Sequence, residues 1–384
     1  MKIIRSYQAV DVWLLAAVLA LAGIGLVMVF SSSMYLALER AGSGAFYFKK
    51  QAIRLIIGLI MMMFLTKVNY RGYAKIAPAL LIIGFSLLIF LLFRKYMSGR
   101  YVERWIRFGH FGFQPSEFMK IFLILYLSAA IAGMGDKIRL FARGLLPLLA
   151  IIGAAFALVV LEPDFGMAGL TLVICFYILY IGRARLLHMI LLTAPAIVSL
   201  VFIVNFIPYM KQRWMTFVNP DLNPEANYQI MQSLVGIGSG GIFGVGLGNS
   251  RQKFLFLPES HTDFVFSILA EELGLIGATI ILALLFLFIL RGLKIAREAP
   301  DMFGFLLASG ISMMIGFQAF INIGVTTALL PTTGMTLPFI SYGGSSLFLL
   351  FCATGILLNI SKQGNYEKRL SSEFGIRLHR RVRL

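Results

Sequence analysis

The densest set of side chains able to do chemistry is Gly248-Asn249-Ser250-Arg251-Gln252-Lys253, followed closely by Pro258-Glu259-Ser260-His261-Thr262-Asp263. Arg251 and Lys253 can neutralise a phosphate. Asp263 stands where this stretch meets a long apolar run. There it either caps the following helix, a position Asp favours, or sits partly desolvated with a raised pKa and serves as a general base. His261 has no second His or Cys at ligand spacing, so hydrogen bonding suits it better than metal ligation. Glu162-Pro163-Asp164-Phe165-Gly166 is a tight turn with two carboxylates. Such a pair can hold a divalent metal or polarise a sugar hydroxyl, or simply be solvated.

Other ionisable residues fall within or beside apolar runs, where charge is costly and marks function by default. Glu117 and Lys120 are three apart, share a helix face and can pair; the pair either locks two helices or lines a path. Glu271 and Glu272 are adjacent and diverge by about 100° on a helix, so at most one easily faces a given cavity. Upstream, Arg104-Trp105-Ile106-Arg107 precedes Gln114-Pro115-Ser116-Glu117. Pro115 suits a first helical turn, and Glu117 the positive helix terminus. Trp105 also fits an interfacial aromatic belt. Gly236-x-Gly238-x-x-Gly241 matches a dinucleotide fingerprint by letter, but it neither follows a strand nor opens a βαβ unit. No Walker A, Gly-x-Ser-x-Gly or His-Glu-x-x-His sequence is present, so ATP-driven transport and serine or zinc hydrolysis lack a signature.

The elements that must position these groups are membrane spans. Of 384 residues, 59% are hydrophobic and only 13% charged, against about 25% charged in soluble domains. The 34 Lys and Arg against 17 Asp and Glu give +17, which in this setting reflects basic loops around spans and not nucleic-acid binding. Cys175 and Cys352 lie in apolar runs and read as inert thiols. Charge-free runs mark spans at 12–38, 55–66, 76–93, 121–135, 144–161, 165–182, 186–210 and 273–290. The stretch 302–361 is 60 residues without a charge; broken by Pro331, Gly334 and Pro338, it reads as two helices, 303–328 and 340–361. The expectation is an all-α integral membrane protein with ten spans, a retained first span, and a large outer loop (207–264) between spans seven and eight. Residues 1–361 form the membrane domain and 362–384 a basic tail. An even count puts both termini on one side, and the basic tail puts that side in the cytoplasm. On this topology 20 basic residues are cytoplasmic and 13 are outside, more than orientation requires. An anionic group handled at the outer face would explain the excess, as would outer-leaflet headgroups.

The order and wording of several motifs resemble the SEDS family (shape, elongation, division and sporulation). They are Arg104-Trp105-Ile106, Gln114-Pro115-Ser116-Glu117, Glu162-Pro163-Asp164-Phe165-Gly166, Ser250-Arg251-Gln252-Lys253-Phe254, Pro258-Glu259 with His261-Thr262-Asp263-Phe264, and Pro331 through Ser346. The last motif and the Ser250–Phe254 run are closer to the division and sporulation branches than to the elongation branch. The resemblance implies a bacterial plasma-membrane glycosyltransferase that polymerises lipid II into peptidoglycan strands. A sugar hydroxyl attacks the anomeric carbon with inversion, and undecaprenyl pyrophosphate leaves. It implies Asp263 as the base and Glu117–Lys120 as an ion pair beneath the cavity. Arg104, Lys211, Arg213, Arg251 and Lys253 become candidates for the pyrophosphate, with Trp105 and Ser341 as further substrate positions. A divalent cation, Mg or Mn, is compatible, but no ligand set is evident. A class B penicillin-binding protein and other divisome or elongasome proteins are the implied partners. Two other readings stay open: a lipid II flippase or transporter, and a non-catalytic division scaffold.

Overall fold

The computed structural model describes residues 10–99, 103–108, 111–191, 208–219 and 224–374. The apolar runs among them are helical: α1 (Val12–Ala41), α2 (Phe46–Leu65), α3 (Arg71–Ser98), α4 (Pro115–Met134), α5 (Leu146–Leu161) and α6 (Phe165–Ile181). Two short helices, α7 (Pro208–Val218) and α8 (Pro224–Ser239), occupy the expected outer loop, and α9 (Val265–Arg297), α10 (Met302–Thr326) and α11 (Gly344–Phe374) complete the bundle. Among the described residues seven helical stretches are long and apolar enough to cross a bilayer, those of α1, α3, α4, α5, α9, α10 and α11. The chain is a multi-pass membrane protein. At 17 residues α6 is shorter, and α2 opens with Lys49, Lys50 and Arg54. The run 186–210 falls largely outside the described residues.

Local chemistry sets the helix ends. Asp11, Asp164 and Asp301 cap α1, α6 and α10, their side chains accepting from the N–H groups of Leu14, Met167 and Gly304, which satisfies donors a helix start leaves free. Pro115 occupies the first turn of α4 as its sequence suggests. One departure from an all-α fold precedes it. Strands β1 (Ile106–Phe108) and β2 (Phe111–Phe113) pair antiparallel, with Ile106 opposite Phe113, so that Trp105 and Gln114 emerge side by side. At the other end α11 runs without a break across residue 361, where sequence alone suggests a tail. Arg71 bridges Asp301 at 2.7 Å and Glu367 at 2.9 Å, and Gln363 donates to Asn69, so the first part of that tail belongs to the bundle. Helices α10 and α11 are the most enclosed; α10 packs against α4, α6, α9 and α11.

Helix α9 is broken near its N-terminal end. Gly274 has φ +67° and ψ −167°, so the carbonyls of Glu271 and Glu272 lose their helical donors. The glycine-rich run before α9 replaces them. Val245 and Gly246 donate to those two carbonyls at 3.0 and 3.1 Å, while Leu275 and Ile276 donate to Gly241 and Ile242 at 2.9 and 3.2 Å. A break at membrane depth is tolerated only when protein re-satisfies the backbone in this way. The close approach excludes side chains: a Cβ on Gly274 would overlap Gly244 N and Ile242 O. Gly274→Ala therefore combines left-handed strain with a backbone clash, and we expect it to lower unfolding stability by on the order of 3 kcal/mol. Gly238→Ala, in α8 with open space around its Cβ, is expected to be neutral or slightly stabilising. Thermal unfolding of both variants in detergent checks the contrast; equal midpoints would count against the backbone exchange.

Candidate functional site

The end of the α8–α9 loop, the hairpin exit, the α5–α6 turn and the segment between α10 and α11 converge on a cavity of about 400 Å³. Its walls carry Arg104, Trp105, Gln114, Glu117, Asp164, Glu259 and Asp263, and Tyr342, Ser345 and Ser346 on the α11 side.

Asp263 is not a helix cap. Helix α9 starts on Phe264 with no side-chain cap bond, and no described residue donates to the Asp263 carboxylate. Its backbone is held instead: Asn322 Nδ2 donates to Asp263 O at 2.7 Å and to Met335 O at 2.6 Å, tying α9 and the α10–α11 segment together. Gly334, with φ +75°, passes close enough that a Cβ there would lie 3.6 Å from Asp263 Oδ2. Burial, and then the negative charge of Glu259, push the Asp263 pKa up to about 7, against the opposing pull of Arg213 and Arg104. An unpaired carboxylate with that pKa in a cavity suits a proton acceptor near neutral pH.

Beneath it a polar ladder crosses the core. Lys120 Nζ donates to Glu117 Oε2 and to Gln318 Oε1, each at 3.0 Å, and Gln318 Nε2 donates to Thr336 O at 3.1 Å. Lys120 is 1% exposed and does not reach the cavity, whereas Glu117, Gln318 and Thr336 line it. The α5–α6 turn is not solvated either. Asp164 caps α6 and accepts from Gln114 Nε2 at 2.7 Å. Glu162 is fully buried and its carboxyl oxygens have no partner; burial, then Asp164, raise its pKa to about 9, so it holds its proton at neutral pH. Arg104 donates to the carbonyls of Glu162 and Pro163 and turns toward the cavity. His261 lies between the rings of Tyr47 and Tyr342, at 4.8 and 5.5 Å, and burial lowers its pKa.

The cationic candidates divide. Arg104 lines the cavity with Trp105. Arg213, on α7, donates to Thr332 O at 2.7 Å and lies close enough to affect Asp263. Lys211 and Arg251 are exposed, outside the lining. Lys253 requires correction as a phosphate ligand: it is 3% exposed and its ammonium is committed to Glu272 Oε1 at 3.1 Å and Ser31 Oγ at 3.3 Å. Ser341 is also structural, its Oγ accepting from Leu337 N at 2.7 Å. Glu271 and Glu272 together hold the loop; Glu271 accepts from the N–H groups of Arg251 and Gln252, and Glu272 accepts from Ser31 Oγ at 2.6 Å. Among the described residues no group of three His, Cys, Asp or Glu converges on a metal position. Sequence reading missed Gln318 and Asn322. The signal was available: two amides four apart on an otherwise apolar helix share one face.

A family model described as cell cycle protein, FTSW_RODA_SPOVE, matches residues 12–366. The chain belongs to this family. Stage V sporulation protein E of Bacillus subtilis is 41% identical over 93% of this chain and 98% of its own length. The probable peptidoglycan glycosyltransferase FtsW of Geobacter metallireducens is 39% identical over 93% and 96%. Among solved structures, a chain of a peptidoglycan synthase complex that coordinates polymerization and crosslinking superposes with a TM-score of 0.75 at 28% identity, covering 93% of this chain and 98% of that one. The rod shape determining protein RodA of Thermus thermophilus gives 0.67 at 28% identity, covering 93% and 98%. The match to the FtsW/RodA/SpoVE family takes in every element that lines the cavity.

Removing one partner of a buried ion pair strands the other charge, at about 3–5 kcal/mol. Lys253→Met is therefore expected to lower stability by that amount, and Lys253→Met with Glu272→Gln to recover most of it. Unfolding midpoints of the single and double variants decide; a stable single variant would return Lys253 to the list of substrate ligands.

Proposed function

We infer that the chain is a peptidoglycan glycosyltransferase that polymerises lipid II at the outer face of the bacterial plasma membrane. The observation that carries this reading is the unpaired Asp263 carboxylate, pushed up to about 7, in a cavity that also holds Arg104. In the proposed reaction the acceptor sugar hydroxyl gives its proton to Asp263 while its oxygen attacks the anomeric carbon of the donor. The bond to the pyrophosphate oxygen breaks, and undecaprenyl pyrophosphate departs with the electron pair. One base and one displacement invert the anomeric centre. Arg104 and Arg213 offset the charge that develops on the leaving group, while Gln114 and Asp164 are placed to hydrogen-bond sugar hydroxyls and Trp105 to cover a sugar face.

The topology proposed with this reading has ten spans, the α7–α9 loop outside, and both termini cytoplasmic. A class B penicillin-binding protein is the proposed partner, supported by the likeness to a chain of a synthase complex that couples polymerization to crosslinking.

Two measurements test the chemistry. Purified full-length chain with its cognate transpeptidase should polymerise lipid II, and Asp263→Asn should lower the rate by about 10²–10⁴-fold with unfolding unchanged; wild-type turnover by this variant would remove Asp263 from the base role. The pH dependence has a definite sign. Because Asp263 acts deprotonated, the rate should fall about tenfold per unit below pH 7 and level off above it. A flat profile from pH 5.5 to 8 would contradict the raised carboxylate.

A further inference from the structure

One part of the cavity wall is built on the start of α11, where the charges are arranged in an unusual way. The first N–H groups of a helix have no internal partner and form its positive end. Here the turn Tyr342-Gly343 and residues Ser345 and Ser346 line the cavity. Ser345 Oγ already accepts from Gln114 N at 3.3 Å. Ser346 is 7% exposed, and its Oγ has no partner. Cations are favoured at helix C-termini and disfavoured at N-termini, yet Arg54 of α2 lies against this one. A Cβ on Gly344 would stand 3.2 Å from Arg54 Cζ and Nη2, so the absence of a side chain at 344 is what lets the guanidinium reach the helix start. The guanidinium carbon is 4.8 Å from the centre of the Tyr342 ring. Its Nη1 is buried without a hydrogen-bond partner, and no acid pairs with Arg54 among the described residues.

Two positive features therefore meet in a partly enclosed place, with an orphan hydroxyl and an orphan guanidinium nitrogen and no carboxylate to balance them. An anion with several acceptor oxygens would accept from all three: the helix-start N–H groups, the Ser346 hydroxyl and the Arg54 guanidinium. We propose that the turn into α11, with Ser346 and Arg54, forms a phosphate subsite that takes a phosphate of the lipid-linked pyrophosphate. The assignment rests on the proposed glycosyltransferase reading. It gives the leaving group cationic and N–H partners in a cavity whose other charged groups include Asp164, Glu259 and Asp263.

The test measures binding apart from turnover. Full-length protein in nanodiscs is titrated with undecaprenyl pyrophosphate, with undecaprenyl phosphate and, separately, with phosphatidylglycerol as a headgroup control, reading complexes by native mass spectrometry. Arg54→Gln and Ser346→Ala are expected to weaken undecaprenyl pyrophosphate binding, Arg54→Gln by about tenfold and Ser346→Ala by a few-fold. Arg54→Lys should keep part of the affinity, and phosphatidylglycerol binding should not change. Gly344→Ala, which crowds the guanidinium away, should mimic Arg54→Gln. Unchanged pyrophosphate binding in Arg54→Gln and Gly344→Ala overturns the subsite. An equal loss for phosphatidylglycerol also overturns it, because the site would then be a bulk-lipid contact. Wild-type protein that binds undecaprenyl pyrophosphate through these residues but polymerises no lipid II would sink the glycosyltransferase reading and leave the subsite standing.

Discussion

Inside a bilayer, a backbone N–H or C=O without a partner costs several kcal/mol, and that constraint organises the half of this molecule that carries the cavity. Helix α9 breaks at Gly274, and the break is stable only because residues 241–246 supply two donors and two acceptors in place of the helix's own. That exchange pins the glycine-rich run to α9. The pinned run leads into Ser250–Lys253, whose backbone is gripped by Glu271, and the chain then returns to Asp263 at the head of the same helix. The position of the proposed base thus follows from a repair of backbone hydrogen bonding. The four bonds also explain why the run is rich in glycine: the two backbones lie too close for side chains between them.

Asp263 is tuned by what is withheld from it. Three other aspartates in the chain begin helices and spend their oxygens on backbone N–H groups. Asp263 is one residue too early to do so, and Asn322 holds its carbonyl, leaving the carboxylate unengaged. Burial then raises its proton affinity unopposed by hydrogen bonds, which would stabilise the ionised form. Glu259 adds to the effect and the two arginines limit it. A carboxylate bonded to a helix start would remain ionised but would be a poor base.

Much of this was legible in sequence, and the failures have physical causes. Charge-free runs marked the apolar helices of the described residues because a bilayer tolerates little else, and Asp263, Arg104 and the Glu117–Lys120 pair stood out as ionisable groups within or beside apolar runs. The hairpin 106–113 escaped because three-residue strands leave no periodicity. The expected tail boundary at 361 marks where the apolar layer ends by charge composition, whereas the helix runs on across it, with Gln363 and Glu367 bonded to Asn69 and Arg71. Glu162 and Asp164 could be read as a metal- or sugar-binding pair or as solvated turn residues, since sequence shows that a turn is polar but not that strands and helices close over it.

The cations show most clearly where composition stops being informative. Counting basic residues on the outer side overstates those available to an anion, because sequence does not show which are already neutralised. Lys253 is spent on Glu272 and Arg94 on Glu103, just as Lys120 is spent on Glu117 deeper in the bundle. The acid stands three residues from its cation in Glu117–Lys120, nine in Arg94–Glu103 and nineteen in Lys253–Glu272, so only the fold decides which cation is neutralised. Removing them leaves a smaller set, and Arg54 enters it from a helix that sequence marked only as a short span. What distinguishes Arg54 is that no acid among the described residues pairs with it, at a position where a helix terminus already repels it. The Tyr342 ring offsets part of the cost of such a charge, and the proposed anion would offset the rest. A cation with an acid beside it reports on folding; one placed against the local field without a counter-charge reports on a ligand.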